Sequence, residues 1–366
     1  MKKLYMHIGF GKTGSSALQS WLSLNAKNLA QQGISYADLV PAAKAGQITS
    51  GNGFEMFKAA DSKDYARVEK LITRIYFGRK DTPVAIVSCE QLHHIRRPQL
   101  NKIFDICVAH GIDITVVAYV RSVYERAFSA YVQGVKRKGT TEAFRMQDAT
   151  QNFSTTVFNL KKYVAVFGDD IVVLNYDDQE QNIFSAFAKV TGIDISGLDA
   201  LNSRVNRSLS SDEIDVMCRL NELHGGKFST PISRYLVTNT PDRPSSVRYL
   251  EPVVRQVCAE MQDGLAWINQ TFAPQPPMAP ALSARMDVSG STPEGLAQVY
   301  REVASWVVSY QPKSDQAAEF REFANSLLPL LKEASIDTQI VQAVTRKAQA
   351  SSPGMVKSLL GRLTRS

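Results

Sequence analysis

Lys12, Thr13, Ser15 and Ser16 sit among Gly9, Gly11 and Gly14 in the stretch His7-Ile8-Gly9-Phe10-Gly11-Lys12-Thr13-Gly14-Ser15-Ser16. An ammonium group, hydroxyls and glycines that let backbone N–H groups come close make a cradle for an anion, phosphate or a chemical relative of it. A second set lies further on, at Arg121-Ser122-Val123-Tyr124-Glu125-Arg126-Ala127-Phe128-Ser129. There an arginine fork and a hydroxyl down the following helix could grip a phosphate by charge-assisted bonds from two directions. Glu90, His93 and His94 add a carboxylate and two imidazoles, the groups that move protons near neutral pH.

The elements that position these residues follow from hydrophobic spacing. Residues 3–8 read as a buried strand, and Ala17, Leu18, Trp21, Leu22 and Leu29 recur at helical spacing, so the glycine-rich turn opens a helix. Residues 114–120 form the strongest strand pattern and end at Arg121; Ser122 opens a helix anchored by Tyr124, Phe128 and Tyr131. On that helix Ser122, Arg126 and Ser129 share one face. Two further β-branched runs, 84–88 and 171–174, each follow a helical stretch, 68–77 and 160–167. Strands alternating with helices predict an α/β fold, a P-loop-like parallel sheet flanked by helices. Ligands gather at the carboxyl ends of such strands, so Gly9, Glu90, Arg121 and Tyr176 are expected to face one crevice.

Three loop types compete for the glycine-rich string. A Walker A loop would need a glycine where Met6 stands, which disfavours a triphosphatase or kinase. Gly9, Gly11 and Gly14 also spell a dinucleotide fingerprint, with Asp38 as its acidic residue, but Gly33-Ile34-Ser35-Tyr36 is a weak strand to carry it. The third unit is Lys12-Thr13-Gly14-Ser15-Ser16 followed by Leu18-Gln19. It resembles the 5'-phosphosulfate loop of the sulfotransferases that use 3'-phosphoadenosine 5'-phosphosulfate (PAPS), and the Arg121 to Ser129 segment is similar to that family's 3'-phosphate motif. The family's asparagine-proline pair is replaced here by Ser122-Val123, and its two threonines after the glycine by Ser15 and Ser16.

The resemblance implies an enzyme that moves a sulfuryl group from PAPS to an acceptor hydroxyl or amine, leaving adenosine 3',5'-bisphosphate, with a carbohydrate or glycan as the acceptor. Gly11, Lys12, Thr13, Gly14, Ser15 and Ser16 would hold the 5' end, Arg121 and Ser129 the 3'-phosphate. A late basic loop often closes over that phosphate in the family, and either Arg204 or Arg207 would do so here. Lys12 would stabilise charge on the bridging oxygen. Glu90 is the expected base, with His93 and His94 as alternatives in the same turn. No metal is expected. An oxidoreductase using NAD(P), or a nucleotide-binding protein without transferase activity, are the competing readings.

The remaining chain is read from composition. Asn175-Tyr176-Asp177-Asp178 precedes a helix over 179–190 that stops at Gly192, and Ser210-Ser211-Asp212-Glu213 is a capping box for a helix stopped by Gly225. Pro274, Pro276, Pro277 and Pro280 with Ser289-Gly290-Ser291 look like a linker before helices over 297–309 and 316–332. The expected organisation is an α/β domain over 1–272, a linker over 273–296 and a helical C-terminal appendage over 297–366. The net charge is +7, and Arg346, Lys347, Lys357, Arg362 and Arg365 account for much of it. That distribution argues against nucleic acid as partner. Met355, Leu359, Leu360 and Leu363 interleave with these cations, which suits either a solvated terminal helix or peripheral contact with an anionic membrane. Cys89, Cys107, Cys218 and Cys258 have no paired spacing, and residues 2–8 read as a strand rather than an export signal, so a cytoplasmic setting is expected.

Overall fold

A computed structural model of the chain describes residues 2–37, 51–78, 82–142, 144, 147–177, 182–201, 207–245, 251–280 and 290–349. Asp38, Asp178, Arg204, Ser289 and the basic tail beyond Gln349 lie outside the described residues.

Five strands form one sheet, all parallel: β1 (Lys2–Gly9), β2 (Ile34–Ser35), β3 (Val84–Cys89), β4 (Ile112–Val120) and β5 (Ile171–Asn175), in the order β2-β3-β1-β4-β5. Near-continuous apolar runs suit strands buried on both faces, and Val116 to Val120 of β4 are all buried. The register sets His7 opposite Ser88 and Gly9 opposite Tyr119, so the exits of β1, β3 and β4 lie side by side. Between β1 and β3 come α1 (Ser15–Leu24), α2 (Ala26–Gln31), α3 (Phe54–Asp61), α4 (Tyr65–Lys70) and a π-helical segment, Leu71–Tyr76. A 3-10 turn, Glu90–His94, and α5 (Arg97–Ala109) lead to β4; α6 (Val123–Arg137) and α7 (Gln147–Phe167) lead to β5. There follow α8 (Ile183–Thr191), α9 (Ser211–His224), α10 (Ser229–Asn239), α11 (Glu251–Phe272), α12 (Pro293–Ser309), α13 (Ala317–Glu333) and α14 (Thr338–Gln349).

Side-chain alternation puts Ile86, Val117 and Tyr119 in a core with Leu18, Trp21 and Leu22 of α1 and Ile183 and Phe187 of α8. Buried Leu100 and Ile103 of α5 and Tyr163 and Phe167 of α7 build further core. The α/β architecture with a parallel sheet flanked by helices is as the sequence predicts, while several boundaries differ. The helix expected over 68–77 is α4 continued as a π-helix, and residues 160–167 are only the last part of α7.

The chain divides into two compact units. The first is Met1–Ala130, Arg145–Val205 and Leu250–Ala284; the second is Tyr131–Phe144, Asn206–Tyr249 and Arg285–Ser366. Residues 206–249, placed by sequence with the sheet, thus count with the helices that end the chain. The second unit packs Phe228 against Trp306 and Phe323, ring centroids 6.1 and 5.0 Å apart. Its capping box is formed: the Glu213 carboxylate accepts from the Ser210 N–H, and the Ser210 hydroxyl accepts from the Glu213 N–H. Among the described residues no helix is long and apolar enough to cross a membrane.

Candidate functional site

β1 delivers the glycine-rich loop to the sheet's carboxyl edge, and α1 begins at Gly14, which takes φ +74° as its N-cap. No side chain caps α1 and no acidic residue sits in its first turn, so the positive end of the helix is left for an anion to complement. Lys12 also holds a left-handed backbone, φ +70°, a conformation non-glycine residues adopt at a cost and keep mainly at functional turns. The glycines are needed for close approach. A Cβ on Gly9 would collide with the Ser15 hydroxyl; on Gly14 it would lie 2.9 Å from both Tyr176 and Ile183. On Gly11 it would lie 3.2 Å from Oε1 of Glu90. The candidate base therefore stands directly beside the loop.

Four consecutive loop carbonyls are each taken by a side chain. His93 Nδ1 faces the Gly9 carbonyl at 2.8 Å, and because its other neighbour, the Glu90 carbonyl, is also only an acceptor, this nitrogen carries the proton. The Thr13 hydroxyl donates to the Phe10 carbonyl at 2.5 Å, Arg126 Nε to that of Gly11 at 3.3 Å, and Arg121 Nη1 to that of Lys12 at 3.4 Å. In a trans peptide the C=O and the next residue's N–H point opposite ways. Holding these carbonyls therefore fixes the orientation of the N–H groups of Phe10, Gly11, Lys12 and Thr13, and backbone N–H groups of this kind are what an anion cradle is built from. Next to them the Ser15 hydroxyl, 6% exposed, finds no hydrogen-bond partner among the described residues, nor does the Gln19 amide one turn further along α1. A buried hydroxyl is costly to leave unmet, and its position over Gly9 suits a ligand oxygen.

Neighbouring strand exits hold the clamps. Arg121 Nε pairs with Asp177 at 3.2 Å and the guanidinium lies over the Tyr176 ring. Asp177 also accepts from the Ser122 N–H at 2.6 Å, while the Tyr176 N–H donates to the Val120 carbonyl, tying the β5 exit to the β4 exit. Arg126 donates to the Thr156 hydroxyl of α7, and burial pulls its pKa down to about 10, Glu90 acting in the opposite sense. The turn carrying Glu90 is fastened by α7 as well: Lys162 Nζ donates to the His93 carbonyl at 2.8 Å and the Tyr163 hydroxyl to that of Leu92 at 2.6 Å. Burial lowers Lys162 to about 8. It lowers His93 to about 4, with His94 adding to the effect, so His93 is neutral at pH 7 and acts as a donor through one nitrogen.

The expected loop residues, Glu90 and Arg121 are thus assembled at one edge. Thr13 contributes its hydroxyl to the loop itself, where it donates to the Phe10 carbonyl. His94 is exposed, its ring centroid 3.9 Å from that of His93 with the two planes tilted by 43°. Ser129 is half-buried on α6. Arg207 belongs to the second unit, where its guanidinium forks onto Glu213 through two bonds of 2.7 Å and onto Thr240. The clamping roles of Arg126, His93 and Asp177 were not read from sequence; the only hint was that Arg126 shares a helix face with Ser122 and Ser129.

The sheet order bears on the dinucleotide fingerprint. In the dinucleotide-binding order 3-2-1-4-5-6 the strand after the first helix lies next to the first strand, bringing its acidic residue to the ligand. Here β3 separates β2 from β1. Among the described residues no group of three or more His, Cys, Asp or Glu is placed to hold a metal. The chain matches no protein-family model and no curated protein.

Proposed function

We propose that the protein is a PAPS-dependent sulfotransferase, moving a sulfuryl group to an acceptor hydroxyl or amine on a carbohydrate. The observation that carries this reading is the loop whose carbonyls at Gly9, Phe10, Gly11 and Lys12 are all held by side chains, with Ser15 unpartnered above Gly9 and Glu90 beside Gly11. In the reaction, loop N–H groups and Ser15 hold the 5'-phosphate of the substrate. Lys12 stabilises the negative charge that grows on the bridging oxygen as its bond to sulfur breaks and the acceptor's bond to sulfur forms. Glu90 takes the acceptor's proton. Arg121 and Ser129 remain the candidates for the 3'-phosphate.

Carbohydrate as acceptor and a cytoplasmic setting are part of the proposal; the latter agrees with four unpaired cysteines, two of them buried. A peripheral membrane role for the tail is proposed with them, and truncation after Gln349 is expected to reduce pelleting with anionic vesicles. The test of function is a ligand panel followed by sulfate transfer. Adenosine 3',5'-bisphosphate is expected to raise the melting temperature where NADP and ATP do not. Stabilisation by NADP alone would favour an oxidoreductase, and bisphosphate binding without transfer to any of a panel of sugars would favour a nucleotide-binding protein.

A further inference from the structure

Several charges around the loop are engaged within the protein. Asp177 faces Arg121, their side chains 2% and 13% exposed. His93 is neutral. Arg126 is fixed on the Gly11 carbonyl and Thr156 and lies in the field of Glu90, whose carboxylate touches the space above Gly11. Lys12 is the cation the loop itself supplies. A sulfuryl group on a phosphate and a phosphoryl group on a phosphate have the same tetrahedral shape, so the cradle's N–H groups accept either. They differ in charge: the terminal sulfuryl carries one negative charge, while a terminal phosphate approaches two at neutral pH.

Resting on the reading of this loop as a PAPS site, we infer that Glu90 is a charge filter, admitting a terminal group with one negative charge and rejecting its two-charge analogue, so that the site prefers a phosphosulfate to a diphosphate. Rejection by a like charge is the usual way to separate ligands that fit equally well. One extra unit charge within a few ångströms of a carboxylate at a partly solvated site weakens binding by about tenfold or more. Glu90 then has two uses for one carboxylate: it repels the wrong donor and takes the acceptor's proton.

The experiment is calorimetric binding, without acceptor, of PAPS and of adenosine 3'-phosphate 5'-diphosphate to the full chain and to Glu90→Gln and Glu90→Asp. Wild type is expected to prefer PAPS by about tenfold or more. Glu90→Gln should gain affinity for the diphosphate and shrink that ratio severalfold, with PAPS affinity little changed; Glu90→Asp should keep the ratio. Equal wild-type affinities, or a ratio unchanged in Glu90→Gln, overturn the inference while leaving the PAPS reading intact. Should Glu90→Gln misfold by circular dichroism, the Glu90→Asp ratio decides: kept, it supports the filter, and lost, it overturns it. Failure of wild type to bind PAPS, the diphosphate or adenosine 3',5'-bisphosphate removes the sulfotransferase reading and the filter with it.

Discussion

At Lys12 the backbone and the side chain can be tested apart. Its left-handed φ of +70° costs an L-residue about 1–2 kcal/mol, which glycine would not incur. Lys12→Gly is therefore expected to match or slightly exceed wild type in urea unfolding, while PAPS turnover falls by about 10²–10³ for loss of a charge-stabilising donor. Lys12→Ala should lose the same turnover with stability near wild type, since alanine bears the same backbone cost as lysine; wild-type transfer by either variant would remove Lys12 from the reaction. Ser15→Ala makes a complementary case. Its hydroxyl has no partner among the described residues, so deletion should leave unfolding free energy unchanged or raised while weakening adenosine 3',5'-bisphosphate binding by about five- to tenfold, measured by calorimetry. The turn itself was legible in advance because glycines and hydroxyls follow an apolar run and precede a helical repeat, and the structure places it between β1 and α1. Thr13 was not: its hydroxyl looked like a ligand group, and only the turn's geometry sends it to the Phe10 carbonyl.

Elements β1, β3, β4 and β5 were readable because each is a largely apolar run bounded by breakers, β-branched in the last three, and the parallel order follows from helices between them. What sequence could not show is adjacency. Arg126 and His93 reach the loop only because the exits of β4 and β3 flank that of β1, a fact set by sheet order. The π-helix after α4 has no compositional sign, and Pro252, a residue that interrupts helix interiors, is the second residue of α11, where a missing N–H is harmless. Two buried histidines give this sheet an acid weakness. Burial lowers His7 and His93 from 6.5 to about 4, so the folded chain binds fewer protons than the unfolded one between those values. Their contribution is complete above about pH 6.5 and declines as pH falls toward 4, each by up to about 3 kcal/mol. Urea midpoints at pH 7.5 and 4.5 should differ accordingly, and His7→Gln should show a shallower fall if it folds. A flat profile would mean that neither ring is held neutral.

At the scale of the whole molecule each unit holds a buried ion pair, Arg121 with Asp177 in the first and Arg207 with Glu213 in the second. Glu213, fully buried, accepts from Arg207 and Arg243, which outweigh the upward push of its burial and hold its pKa below the usual range. Removing one partner from such a buried group costs about 3–5 kcal/mol. Glu213→Ala is expected to lose that much in unfolding experiments, with adenosine 3',5'-bisphosphate affinity of the folded protein unchanged; a parallel loss of affinity would show that Arg207's surroundings contribute to the nucleotide site. The four carbonyl clamps carry one more consequence. Their donors are spread over residues 13, 93, 121 and 126, so during synthesis the glycine-rich stretch leaves the ribosome long before the arginines that shape it. A nascent chain halted at residue 110 would display the whole motif without the two arginines that hold the Gly11 and Lys12 carbonyls, so the loop takes its final shape only after β4 and the start of α6 have been made.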